Sequence, residues 1–131
     1  MGGEQGQIYP PAKVFVSWMR SNLRQQGTQA MPMPIKRVWL QGVITEIEGN
    51  GSGAMSKLVI DDGTGTVKIF ADPEEHDLTL QKGNYILVVG LYNFETETVE
   101  AHQIIDLSNQ PSRIPLWWLE VIDFFKTLKS W

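Results

Sequence analysis

Three kinds of residue in this sequence could carry out chemistry: two histidines, a pair of adjacent carboxylates and two glycine-rich turns. His76 and His102 lie far apart, and no cysteine or His-X-X-X-His pattern completes a metal site around them. Asp61 and Asp62 adjoin in "DDGTG", but adjacent strand residues point to opposite faces and cannot easily share a metal ion or a substrate. The turn "GNGSG" lacks the Gly-Lys-Ser/Thr of a phosphate-binding loop. The sequence therefore predicts no enzyme, no catalytic residue, no metal site and no cofactor.

The composition is that of one globular domain. Hydrophobic residues make up 42% of the 131 residues and charged residues 20%, and there is no cysteine, which suits a reducing intracellular compartment. No apolar run approaches the roughly 20 residues that cross a bilayer. We expect a soluble intracellular protein with no membrane contact, in which residues 1–10 form a flexible leader and residues 11–131 form a single domain.

The charge is distributed unevenly along the chain. Residues 1–50 hold five Lys or Arg against three Glu, a balance of +2, so the net charge of −4 leaves −6 for the remaining residues. Most of the acids lie in "DDGTGTVKIFADPEEHD" and "FETETVE". Since nucleic-acid binders take most of their affinity from Lys and Arg contacts to phosphates, the sequence predicts little direct DNA binding.

Five segments have the alternation and bounding turns of β-strands: 37–49, 55–62, 66–71, 82–94 and 98–108. Gly42 in the first predicts a bulge or bend, and Asp72 and Pro73 predict a short helix after the third. A turn near Glu95 to Glu97 joins the last two. Residues 14–26 mix strand and helix spacing, so their state is open, and 28–36 form a loop. This order predicts an all-β fold with flanking helices, a five-stranded OB-fold barrel of Greek-key topology with a C-terminal α-helix.

The predicted C-terminal helix, about 113–129, is unusually apolar. At about 100° per residue, its apolar side chains cover roughly half the circumference, whereas a surface helix usually shows a band somewhat over about 100° wide. Trp118 and Phe125 form one row, Trp117, Phe124 and Leu128 form a neighbouring row, and the spacing does not decide which row faces outward. We expect one row to pack on the barrel and the other to bind a partner; the simpler alternative is a helix that only caps the barrel.

Several stretches resemble one family. "PPAKV" (10–14), "VWLQGVI" (38–44), "KGNYILVVG" (82–90), "IDLSNQP" (105–111) and "LWWLEVIDF" (116–124) are similar to the RecQ-mediated genome instability protein 2 family, and the likeness runs from Pro10 to Leu128. It implies a nuclear, non-catalytic subunit that pairs with an OB domain of RecQ-mediated genome instability protein 1 through terminal helices. Through that protein, the subunit would join topoisomerase III and a RecQ-type helicase in double Holliday junction dissolution, as a heterodimer or larger complex.

The resemblance also implies the partner-binding residues. Lys13 matches the family's lysine after the Pro pair, although a solvated surface lysine fits equally well. The other candidates lie on the C-terminal helix: Trp117, Trp118, Val121, Ile122, Phe124, Phe125 and Leu128.

A single-stranded-DNA or telomere-binding OB subunit of the replication protein A type stays open as an alternative, because "EGNGSGAM" and "DDGTG" suit such a protein. Exposed basic residues at Lys57 and Lys68 would favour DNA, whereas apolar exposure confined to the last helix would favour assembly. Trp18 and Trp39 are expected to fill or border the core.

Overall fold

The strands and helices follow the sequence pattern in a computed structural model that describes residues 11–23, 37–48, 56–72 and 80–129. The predicted leader, the loop 28–36, the "GNGSGA" turn, the short helix after Asp72 and His76 lie outside these residues. The elements, in chain order, are β1 (Ala12–Lys13), α1 (Val16–Asn22), β2 (Arg37–Glu48), β3 (Ser56–Asp61), β4 (Thr66–Ala71), β5 (Tyr85–Asn93), β6 (Thr98–Asp106) and α2 (Arg113–Lys129).

The sheet closes on itself through its longest strand. Its order is β1-β2-β3-β4-β6-β5, and β2 also pairs with β5. The first part of β2 (37–43) pairs antiparallel with β5, and its second part (43–48) pairs antiparallel with β3, so one strand belongs to both sides of the barrel. Strand β6 pairs parallel with β4 and antiparallel with β5. These pairings confirm the predicted five-stranded OB-fold barrel with its C-terminal helix, and the two-residue β1 is an addition to it.

The alternation of side chains decides what fills the barrel. In β4, Val67, Ile69 and Ala71 are buried while Thr66 and Lys68 are exposed, because successive strand residues point to opposite faces. The inward positions of the other strands continue this core; they include Val38, Leu40, Ile44, Leu58, Ile60, Ile86, Val88, Val99 and Ile104.

The bulge predicted at Gly42 lies further along β2. The register against β3 shifts between Ile44 and Glu46, so the extra residue is at Thr45. Gly42 serves a close approach instead, since a Cβ there would lie 2.8 Å from the carbonyl oxygen of Asp61. The glycine was therefore a correct sign of an irregular strand, and the close backbone contact gives a physical reason for a residue without a side chain there.

Of the open segment 14–26, the structure describes residues 14–23, which begin extended and continue as a helix. The N–H of Val14 donates to the carbonyl of Trp39, which prolongs the pairing of β1 with β2, and α1 starts two residues later. Val16 and Met19 of α1, and Leu23 directly after it, join the barrel core. The mixed periodicity of the sequence thus reflects a real change of backbone state.

Among the described residues, neither helix is long and apolar enough to span a membrane.

Candidate partner-binding surface

Helix α2 contacts β1, which pairs with β2, and β2 pairs in turn with β5. Across these strands Lys13 pairs with Trp39, and Gln41 pairs with Leu87, and these side chains point away from the barrel interior. Gln41 and Leu87 are nevertheless buried, and the Tyr85 hydroxyl donates to Gln41 Oε1 at 2.8 Å. Burial raises the pKa of Tyr85 to about 12, so its phenol stays protonated as a structural donor.

The inner row of α2 consists of Trp117, Val121 and Leu128, all of which are buried. Trp117 is only 1% exposed and is the largest fully buried side chain in the described part of the molecule. Phe124 lies beside this row, half-buried and packed on the barrel core. Within this chain, the inner row and Phe124 therefore hold the helix on the barrel.

The outer row of α2 consists of Ile114, Trp118, Leu119 and Ile122. Ile114, Trp118 and Ile122 follow one another at intervals of four residues and are each 41–44% exposed, while Leu119 is 64% exposed. Trp118 and Ile122 were predicted as partner-binding residues, but Ile114 and Leu119 were not. Ile114 lies four residues before Trp118 and Leu119 lies three residues before Ile122, and no charged residue lies between Ile114 and Leu119, so these spacings could have identified both.

Apolar exposure is concentrated on α2 without being confined to it. Of the eight large hydrophobic side chains that are exposed among the described residues, five lie on α2, and Val43, Leu91 and Ile105 lie singly on strands. Single exposed hydrophobics are normal on protein surfaces, whereas a continuous stripe indicates a binding surface.

Aromatic side chains of Phe15, at the N-cap of α1, and Trp18, within α1, pack against α2. The ring centroids of Phe15 and Trp118 are 4.6 Å apart, and those of Trp18 and Phe125 are 5.2 Å apart. Phe125 is therefore half-buried between the helices and belongs to neither row. Trp18 borders the core, as predicted.

Lys13 is part of the attachment of α2. Its Nζ lies 2.8 Å from Glu120 Oε1 and 5.1 Å from the ring centroid of Trp39. About a third of the lysine side chain and a quarter of the glutamate side chain are exposed. Lys13 is thus a paired lysine that connects β1 to α2, and contact with a partner stays a prediction.

Replacing Lys13 with methionine should lower the free energy of unfolding by about 0.5–1 kcal/mol, because a partly exposed ion pair is screened by water and salt. Urea denaturation measures the change. The exposed Lys68 provides the control, and Lys68→Met should leave the stability within about 0.5 kcal/mol of the wild type. Equal losses in both variants would contradict the role assigned to Lys13.

The outer face of β2, β3 and β4 does not form a basic groove. Lys57 forms an ion pair with Glu48, and a hydrogen bond from that lysine lowers the pKa of the glutamate. Lys68 is exposed, but Glu46 and Asp61 lie on the same face. The described strands therefore carry acidic and basic side chains on the same face, whereas single-stranded DNA binds to a predominantly basic groove.

No group of three or more His, Cys, Asp or Glu side chains that could hold a metal ion occurs within residues 11–23, 37–48, 56–72 and 80–129.

Comparison with known proteins identifies the family. The model of the RecQ-mediated genome instability protein 2 family matches residues 10–125. The Gallus gallus protein of that name is 28% identical, covering 98% of this chain and 99% of its own, and the Bos taurus protein is 25% identical over 92% and 82%.

Solved structures confirm the OB-fold. A chain of the S. pombe Stn1–Ten1 complex superposes with a TM-score of 0.75 at 18% identity, covering 93% of this chain and 96% of its own. A chain of a replication protein A heterotrimer bound to single-stranded DNA gives a TM-score of 0.62 at 15% identity over 92% and 98%. With the family match over nearly the whole chain, the conclusion is that this chain belongs to the RecQ-mediated genome instability protein 2 family and is an OB-fold genome-stability protein.

Proposed function

We propose that the chain is a non-catalytic, nuclear scaffold subunit that pairs with an OB domain of RecQ-mediated genome instability protein 1. Through that protein it would support topoisomerase III and a RecQ-type helicase in double Holliday junction dissolution. The family supports a partner in a RecQ complex. In this proposal the protein functions by binding its partner, and its own residues catalyse no reaction.

The observation that carries this proposal is the outer row of α2. Ile114, Trp118, Leu119 and Ile122 form an apolar stripe on α2, and the neighbouring row of the helix is already packed on the barrel. A rigid aromatic in the middle of such a stripe is the kind of residue that dominates binding energy at protein interfaces. We therefore narrow the predicted partner-contact surface to this row. Trp117, Val121 and Leu128 instead hold α2 on the barrel.

Co-expression with the OB domain of RecQ-mediated genome instability protein 1, followed by light scattering on the eluted complex, tests the pairing. We expect one peak with the mass of a one-to-one heterodimer. Separate elution of the two proteins would contradict the proposal. A homodimer of this chain that survives addition of the partner would also contradict it, because the outer row would then be occupied by a second copy.

Binding to single-stranded DNA should be weaker than about 1 μM at physiological salt, because the acids on the barrel face oppose the release of counterions that drives such binding. Fluorescence anisotropy with a labelled oligonucleotide measures it. In the control variant Glu46→Lys, the affinity should rise, since the exposed acid becomes a base on the same face. Sub-micromolar binding by the wild type would favour a DNA-binding subunit instead.

A further inference from the structure

Helix α1 begins without a cap from its own sequence. Phe15 occupies the N-cap position with extended backbone angles, and its side chain makes no capping hydrogen bond. Ser, Thr, Asp and Asn are strongly preferred there because their side chains accept from the first free N–H groups of a helix. The Phe15 ring packs against Trp118 instead. Phe15 thus contributes an aromatic contact at the N-cap position, and the hydrogen bonds that cap α1 come from another part of the chain.

The "DDGTG" turn between β3 and β4 supplies that cap. Asp62 Oδ2 accepts a hydrogen bond of 2.7 Å from the N–H of Val16, and Thr64 Oγ1 accepts one of 3.1 Å from the N–H of Ser17. Both N–H groups are in the first turn of α1 and have no partner within the helix. The hairpin therefore holds the start of α1 across a sequence separation of more than 40 residues.

The same turn is shaped so that one carboxylate oxygen remains for α1. Asp62 Oδ1 accepts from the N–H groups of Thr64 and Gly65 and from the Thr64 hydroxyl, and Asp61 Oδ1 accepts from the N–H of Gly63. The two oxygens of Asp62 thus have separate tasks: Oδ1 closes the turn and Oδ2 binds the helix. The hydrogen bond that Asp61 accepts lies within the turn and does not reach α1.

The turn also approaches the outer row directly. A Cβ on Gly63 would lie 3.7 Å from Cζ2 of Trp118, and a Cβ on Gly65 would lie 3.3 Å from Val16. Trp118 is therefore held between the Phe15 ring and the tip of the hairpin, although much of its surface is open to solvent.

We propose that Asp62 is a positioning residue of the partner surface: by capping α1 from the hairpin, it holds Phe15 against Trp118 and so fixes the orientation of the central aromatic of the outer row. This inference rests on the proposed function, in which the outer row binds an OB domain. Asp62 itself would act through α1, without contact to the partner.

Asp62→Asn tests the inference sharply. The asparagine keeps an oxygen for the turn, but its amide nitrogen cannot accept from the N–H of Val16. We expect affinity for the OB domain of RecQ-mediated genome instability protein 1, measured by calorimetric titration, to fall about five- to tenfold, the size of a lost helix cap. Asp61→Asn is the matched control, with the same change of charge in the same turn, and it should change the affinity less than about twofold.

A second measurement on the free protein separates positioning from partner binding. The indole N–H resonance of Trp118, assigned with a Trp118→Phe variant, should move in Asp62→Asn and stay in place in Asp61→Asn. If the wild type fails to bind the partner, the proposed function is wrong, while this resonance still decides whether the cap positions Trp118. An unmoved resonance in Asp62→Asn, or wild-type affinity despite a moved one, would overturn the inference.

A third variant covers the case in which Asp62→Asn does not fold. Phe15→Leu leaves the cap in place and removes the ring that contacts Trp118, so we expect a loss of affinity of the same five- to tenfold size. Wild-type affinity in Phe15→Leu would show that the contact between Phe15 and Trp118 does not affect partner binding.

Discussion

Replacing Trp117 with alanine should lower the free energy of unfolding by about 3–5 kcal/mol. Trp117 is buried to 99% between α2 and the barrel, so truncation removes its apolar contacts and leaves a cavity that its neighbours fill only in part. Urea denaturation at constant m-value measures the loss. A loss below about 1 kcal/mol would contradict the assignment of Trp117 to the inner row.

Replacing Trp118 with alanine should have the opposite pattern. Partner affinity should fall by about 2 kcal/mol or more, a factor of about 30, because an exposed aromatic in the middle of an apolar stripe is the expected hot spot. The free energy of unfolding should fall by only about 1 kcal/mol, for the lost contact with Phe15. Calorimetric titration and urea denaturation on the same preparations give both numbers.

The two neighbouring tryptophans act as controls for each other. They have the same volume and are adjacent in α2, and they differ in their exposure, which is 1% for Trp117 and 42% for Trp118. If both substitutions lower stability alike and neither weakens binding selectively, α2 is only a lid on the barrel. The assembly function proposed for it would then fail.

Local patterns in the sequence were sufficient to predict the barrel. Alternating apolar and polar residues, as in segment 66–71, identified all five strands of the barrel. The turn predicted near Glu95 to Glu97 is present at Phe94–Glu97. Glu97 adopts a positive φ of 57° there, which a turn can accommodate. These features depend on neighbours a few residues away, and such neighbours are visible in a sequence.

Features that depend on distant contacts could not be predicted in the same way. The helical wheel indicates that the apolar arc of α2 is too wide for one neighbour, but the choice between Trp117 and Trp118 depends on which side of the helix packs on the barrel. The cap of α1 comes from Asp62, far along the chain, so a search for a local N-cap before α1 finds only Phe15. The displaced bulge at Thr45 likewise depends on the pairing with β3.

The most direct test of the central claim, that the outer row of α2 binds an OB partner, is a titration of the Leu119→Glu variant with the OB domain of RecQ-mediated genome instability protein 1. Leu119 is the most exposed residue of the row, and glutamate is a good helix former, so the fold should be unaffected while a charge enters the stripe. Thr66→Glu adds the same charge to the exposed face of β4 as a control. The account predicts that Leu119→Glu abolishes binding and Thr66→Glu retains it. Wild-type affinity in Leu119→Glu, or loss of binding in Thr66→Glu alone, would contradict it.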